Sequence, residues 1–245
     1  MAGKFLRGAF VEMMPTFLVP IPNIIIFQYN PETITHTWTP AQKAAPAAGA
    51  ATTEAKPNPL AVMGNPGESF SFTLAMDATD MLADGSPVAQ GIASVSGIYT
   101  RIAALEMLLY PTSDGGGDLL GSVSVSVGAG GISIGASASA GVKRGIPSAI
   151  LPTVLFIWGP GRILPVKVKS LTITEKLYDE ILLNPTHAEA QIGLEVLTPE
   201  ELNAVSGTLG EFAKGAYAYS QGLRQALAVA NLANSAESAI GMLPI

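Results

Sequence analysis

The chain has 245 residues, 48% of them apolar and only 13% charged, with 13 basic against 19 acidic side chains and a net charge of −6. That balance argues against nucleic acid, which calls for Lys/Arg clusters, and the absence of cysteine excludes disulfides, thiolate metal sites and thiol nucleophiles. So little charge wets a monomer's surface poorly and points to burial against other chains, although Ala- and Gly-rich segments inflate part of the apolar count.

The length suffices for a sizeable core, either as one large domain or as a domain with appendages. Met1-Ala2-Gly3-Lys4 is basic and is followed by apolar residues, the opening of a secretory leader pattern. Glu12, Pro15, Pro20 and Pro22 interrupt it, and no small-x-small cleavage site follows a clean apolar core. No apolar run approaches the ~20 residues that span a bilayer. A cytoplasmic protein that does not insert in a membrane is expected.

Residues 23–39 are rich in β-branched and aromatic types, from Ile24, Ile25, Ile26, Phe27 and Tyr29 to Ile34, Thr35, Thr37 and Trp38. Asn30-Pro31-Glu32 between them is a turn signal, because proline pre-sets φ and asparagine bonds its own backbone. Strand, turn and strand are predicted. Residues 40–66 are Ala, Pro, Gly and Thr with few apolar anchors, which predicts a linker or mobile loop.

Glu68 to Asp77 alternates strictly, with Phe70, Phe72, Leu74 and Met76 on one face of a half-buried strand. Val95, Ile98, Ile102, Leu105, Leu108 and Leu109 recur at threes and fours and predict a helix over 88–110, ended by Tyr110-Pro111. Residues 112–149 form a Gly/Ser/Ala tract. Val123, Val125 and Val127 alternate with serines, as do Ile132 and Ile134 around Ser133, so a hairpin and disorder stand as equal alternatives.

Strand patterns return at Val154–Trp158, Leu164–Lys169, Leu171–Glu175 and Ala188–Leu197, with Asn184-Pro185 as the turn before the last. Thr198-Pro199-Glu200-Glu201 then reads as a helix start, with Thr198 as N-cap, Pro199 at the first helical position and Glu201 completing a capping box. Leu202, Val205, Leu209, Phe212, Ala216, Tyr219, Leu223 and Leu227 form one apolar stripe on an Ala-rich helix, with a break near Gly207–Gly210. The stripe suits its own domain and a partner chain equally.

Chemistry is scarce. His36 sits in a strand and His187 follows a turn, and neither stands in a recognisable nucleophile–base pattern, so exposed or edge-strand histidines are the better account. Asp77, Asp80 and Asp84 lack the every-second-residue ligands of a calcium loop, and no Cys or His-x-x-x-His offers a metal site. The glycine clusters at 115–117 and 128–131 lack the residues of a phosphate-binding loop. Gly159-Pro160-Gly161-Arg162 joins two strands as a turn, and Trp38 and Trp158 lie in apolar strands where core or interface packing is commoner than ligand stacking. No enzyme activity, cofactor or metal is expected.

Two blocks carry a resemblance. The first is Phe27-Gln28-Tyr29-Asn30-Pro31 followed by Trp38. The second is Phe156-Ile157-Trp158-Gly159, then Ser170-Leu171-Thr172-Ile173-Thr174-Glu175, Tyr178-Asp179, Leu183-Asn184-Pro185 and Leu194-Glu195-Val196-Leu197. Their order and spacing resemble the tube-like baseplate proteins of contractile injection systems, over about two-fifths of the chain. The resemblance implies an α+β, mainly β, Hcp-like tube fold: two packed antiparallel sheets with a flanking helix over residues 1–198, with insertions at about 40–66 and 112–149. Residues 199–245 would be an Ala-rich helical extension.

It also implies a role. Six copies would close a ring and a continuous β-barrel, joining a trimeric spike protein of the VgrG type to the inner tube and nucleating tube growth, in contact with other baseplate proteins. Phe27, Tyr29, Asn30, Pro31, Trp38, Phe156, Trp158, Gly159, Tyr178, Asn184 and Pro185 would carry the fold and its assembly. Many relatives end in a LysM module, for which residues 199–245 show no pattern. The alternatives are an inner-tube or phage tail-tube protein, and a delivered glycan-binding or hydrolytic β-sandwich, which would need a polar site.

Overall fold

The computed structural model describes residues 6–13, 22–41, 62, 64–79, 96–110, 122–128, 131–137, 151–205 and 208–242. Most of the expected 40–66 linker, the first part of the 88–110 helix, and Asp80 and Asp84 lie outside them. So does the remainder of the 112–149 tract.

Seven strands form one antiparallel sheet: β1 (Ala9–Met13), β2 (Pro22–Ile26), β3 (Ile34–Thr39), β4 (Gly67–Asp77), β7 (Val154–Ile157), β8 (Ile163–Tyr178) and β9 (Pro185–Val196). Their order is β2-β1-β7-β8-β9-β4-β3. The two strands expected on either side of Asn30-Pro31 therefore exist but do not pair; they are the opposite edges of the sheet. The stretches 164–169 and 171–175 also merge into a single strand, which pairs with β7 up to Val166 and with β9 from there on, with an irregularity in the β9 pairing between Val168 and Ser170.

One curled sheet stands where two packed sheets were expected. Phe10 on β1 and Phe72 on β4 lie four strand steps apart, about 19 Å in a flat sheet at ~4.8 Å per step, yet their ring centroids are 6.3 Å apart. The alternation that points one side of each strand inward makes this possible. Phe70, Phe72, Leu74 and Met76 on β4, with Ala188, Ala190, Ile192, Leu194 and Val196 on β9, are all buried on the concave face. The sheet stops short of a closed barrel, because β2 and β3 do not hydrogen-bond to each other.

Helix α1 (Tyr99–Met107) buries Ile102 and Leu105, with Ile98 and Leu108 at its ends, and is tied to the start of β9 by Ile98 N–H donating to Pro185 O at 3.2 Å. Gly97 enters it at φ +55, where a side chain would meet the Pro185 carbonyl at 2.5 Å. The Gly/Ser tract forms a separate hairpin, β5 (Ser122–Gly128) with β6 (Gly131–Ser137), in the register Val125↔Ile134.

The predicted helix start at Thr198 is present. Thr198 Oγ1 accepts from Glu201 N–H while Glu201 Oε2 accepts from Thr198 N–H at 2.8 Å, opening the short α2 (Pro199–Asn203). After the break, α3 runs from Thr208 to Met242. Its buried face is Gly210, Ala213, Ala216 and Ser220, small residues that let it approach β8 closely. Of the expected apolar stripe, Leu202 and Ala216 are buried, whereas Phe212, Tyr219 and Leu227 are exposed. Close approach favours the small-residue face over the large one.

Candidate assembly surface

The first block of site residues lies in the segment that crosses from β2 to β3. Phe27 continues the β1–β2 pairing by donating its N–H to Gly8 O at 2.9 Å, and its ring enters the core. There it meets Phe10 at 5.0 Å, Phe72 at 5.8 Å, Phe156 at 6.5 Å and Trp158 at 6.4 Å between centroids. Gly8 is a glycine because a Cβ there would strike the Phe27 and Trp158 rings at under 3 Å.

Two amides stitch this crossing segment down. Gln28 Nε2 donates to Asp77 O at 2.8 Å and its Oε1 accepts from Asp77 N–H at 3.0 Å. Asn30 Nδ2 donates to Leu6 O and its Oδ1 accepts from Gly8 N–H, both at 2.9 Å. Asn30 was expected to bond its own turn; instead it satisfies main-chain groups more than 20 residues away, as a strand neighbour would. Pro31 follows on the way to β3, and Tyr29 turns outward to solvent.

Phe156 is fully buried at the centre of the aromatic cluster, 5.5 Å from both Phe70 and Phe72. Trp158 is half-buried at its rim, and its N–H donates to Arg162 O at 2.8 Å across the expected turn. Gly159 holds that turn at φ +66 with open space around it, so backbone conformation, not crowding, requires the glycine.

Trp38 belongs elsewhere, at the far end of edge strand β3, with 43% of its surface exposed. The Arg224 guanidinium of α3 lies 4.9 Å over its ring. The same guanidinium makes a two-pronged contact with Glu68, with Nη1 donating to Oε2 at 2.8 Å and Nη2 to Oε1. His36 Nε2 lies 2.8 Å from Glu68 Oε1 and its ring stacks on Phe70 at 4.3 Å. Burial lowers the His36 pKa, with Arg162 and Arg224 pushing the same way and Glu68 pulling against them. Sequence reading missed this cluster. The signal was Glu68 itself, a carboxylate in phase with Phe70 and Phe72 and therefore inward-facing, which demands a buried partner.

Tyr178, Asn184 and Pro185 form a third group at the β8–β9 tip. Tyr178 pairs with Pro185, Asp179 N–H donates to Asn184 O at 2.8 Å, and Pro185 is buried. The Asp179 carboxylate accepts from Ile181 N–H at 3.2 Å and Leu182 N–H at 2.8 Å, closing the turn. The site residues thus fall into three places: the crossing segment with its aromatic cluster, the Trp38 edge, and the tip.

His187 Nδ1 lies 3.5 Å from Asp77 Oδ2. Burial opposes ionisation of Asp77, but hydrogen bonds from Thr79 and the nearby His187 outweigh it and lower the Asp77 pKa. Among the described residues no group of three or more His, Cys, Asp or Glu could hold a metal ion, and no helix is long and apolar enough to cross a membrane. A comparison with protein-family models finds no match for this chain, and a comparison with curated proteins finds none either.

Proposed function

We propose that this chain is a structural, non-enzymatic component of a contractile injection system baseplate, working as a homohexameric ring between the spike and the inner tube. The observation that carries the reading is the open, curled sheet. Among the described residues its edge strands β2 and β3 have no strand on their outer sides, and an uncovered edge is a template for pairing with another chain. A ring of identical subunits covers every such edge by closure, which a monomer cannot do.

The two sequence blocks support the same reading. Phe27, Phe156 and Trp158, distant in sequence, meet in one cluster, and Asn30 ties the crossing segment down beside it. The exposed aromatic and aliphatic side chains, among them Tyr29, Trp38, Ile24 and Ile26, are surface a subunit contact would bury. Assembly in the cytoplasm and incorporation into the particle, beside the spike, tube and other baseplate proteins, belong to this proposal.

Electron microscopy of the purified full-length chain tests it. Single six-fold rings are the expected result. Long tubes would favour the inner-tube role, and a protein that stays monomeric at high micromolar concentration would overturn the ring.

A further inference from the structure

Glu68 holds two rival donors from different elements. It is 4% exposed on β4 and takes the Arg224 guanidinium of α3 on both oxygens, while His36 Nε2 of β3 shares Oε1 at 2.8 Å. An ionised carboxylate only accepts, so neutral His36 carries its proton on Nε2 and leaves Nδ1 bare. Trp38 is shared in the same way: its ring centroid lies 5.0 Å from the His36 ring and 4.9 Å from the Arg224 guanidinium. The Arg162 guanidinium, from the β7–β8 turn, lies 5.8 Å over the Phe70 ring on which His36 stacks. Two cations thus stand around one buried carboxylate, and a proton on His36 makes a third.

The partners of Glu68 are not equally fixed. His36 belongs to the β3–β4 ladder, opposite Phe70. Arg224 reaches in on a long side chain that is 26% exposed, from a helix whose residues 225–232 are all exposed. An imidazolium on His36 neutralises Glu68 without moving, so Arg224 is the partner that yields.

A weak point in α3 lies just before Arg224. Ser220 is anchored, with its Oγ donating to Ile163 O at 2.8 Å and accepting from Ile163 N–H at 3.2 Å, and Tyr219 Oη donates to Pro160 O at 3.0 Å. Two residues on stands Gly222, where a Cβ would meet nothing within 4 Å. No crowding requires that glycine, and glycine loosens a helix interior relative to alanine. It separates a neutral anchor from a charge-held contact, which is where a helix bends most readily.

We propose that Arg224, Glu68 and His36 form an acid-released latch on α3: a proton taken up by His36 neutralises Glu68 in place of Arg224, and the helix beyond Ser220 swings away about Gly222. The direction follows from linkage. With the latch closed, burial foremost and then Arg162 and Arg224 hold the His36 pKa down, against the pull of Glu68. Departure of Arg224 removes an opposing charge and leaves Glu68 to His36 alone, so the open form binds the proton more tightly. Acid therefore opens the latch, and it stays closed above about pH 6.5. The device works within one subunit and stands apart from the assembly reading above.

The chain lacks cysteine, so spin labels can be placed on Thr172→Cys in β8 and Ala228→Cys in α3, both exposed and outside the cluster. Double electron–electron resonance on the full-length protein, diluted with unlabelled chain so that only intrachain distances are read, reports the swing. One distance should dominate at pH 7.5. At pH 5.0 a second should have grown about fivefold or more, within the tenfold that one unit of difference between the closed and open His36 pKa permits.

His36→Gln keeps a neutral donor toward Glu68 and should hold the pH 7.5 distribution at pH 5.0. Gly222→Ala should shrink the second population at pH 5.0. A wild-type distribution that ignores acid, or the same change in His36→Gln, overturns the latch; a full response in Gly222→Ala overturns the hinge. Should His36→Gln fail to fold, the double variant Glu68→Gln with Arg224→Met leaves the imidazolium no carboxylate to win. Its distances must then ignore acid, and a response there overturns the latch equally.

Discussion

The side-chain amide of Gln28 both donates to and accepts from the main chain of Asp77, standing in for a strand residue at the end of β4. Asn30 does the same for Leu6 and Gly8. Two amides of one short segment thereby tie the far edges of the sheet together where no ladder exists. Replacing Gln28 with Ala leaves two main-chain groups of Asp77 without these partners. The expected loss is about 1–3 kcal/mol of stability in urea denaturation, with Gln28→Glu no better because a carboxylate cannot donate to the Asp77 carbonyl.

Phe156 and Trp158 should separate in magnitude although they stand two residues apart. Phe156 is fully buried against five aromatic rings, so Phe156→Ala should cost about 3–5 kcal/mol and prevent assembly by unfolding the subunit. Trp158 lies at the rim of the cluster, and Trp158→Ala should cost roughly half as much. Thermal unfolding of both variants checks the order; an equal loss would contradict the placement of Trp158.

Arg224→Ala leaves Glu68 buried with only His36 beside it. Removing one partner of a fully buried pair costs ~3–5 kcal/mol; the Arg224 side chain keeps 26% exposure, so about 2–3 kcal/mol is expected. The double variant Glu68→Gln with Arg224→Met should recover much of that loss, because no uncompensated charge then remains. A double-mutant cycle that shows no coupling would remove the pair's role in holding α3.

Burial lowers the His36 pKa below the ordinary histidine value of about 6.5. The unfolded chain therefore takes up a proton before the folded one does. The sign is then fixed: the stability is fully present above pH 6.5 and falls as pH drops from there toward the folded-state pKa. Denaturant midpoints measured between pH 7.5 and 5.5 should show this slope, and His36→Asn should flatten it.

Gly97→Ala tests the joint between α1 and β9. A methyl group there meets the Pro185 carbonyl at 2.5 Å and must also adopt φ +55. A loss of about 2 kcal/mol or more is expected, with hydrogen exchange in α1 rising before exchange in β4.

Local pattern made much of this molecule readable. The inward faces of β4 and β9 follow from strict alternation, and the start of α2 follows from Thr198, Pro199 and Glu201, because periodicity and capping are set by near neighbours. What only the tertiary structure decided is which distant groups meet. Strands β2 and β3 are consecutive yet lie at opposite edges of the sheet, Asn30 serves Leu6 and Gly8, and α3 turns its small residues inward while its large ones face out. Pairing order and close approach depend on the curvature of the whole sheet, a quantity no short stretch of chain encodes.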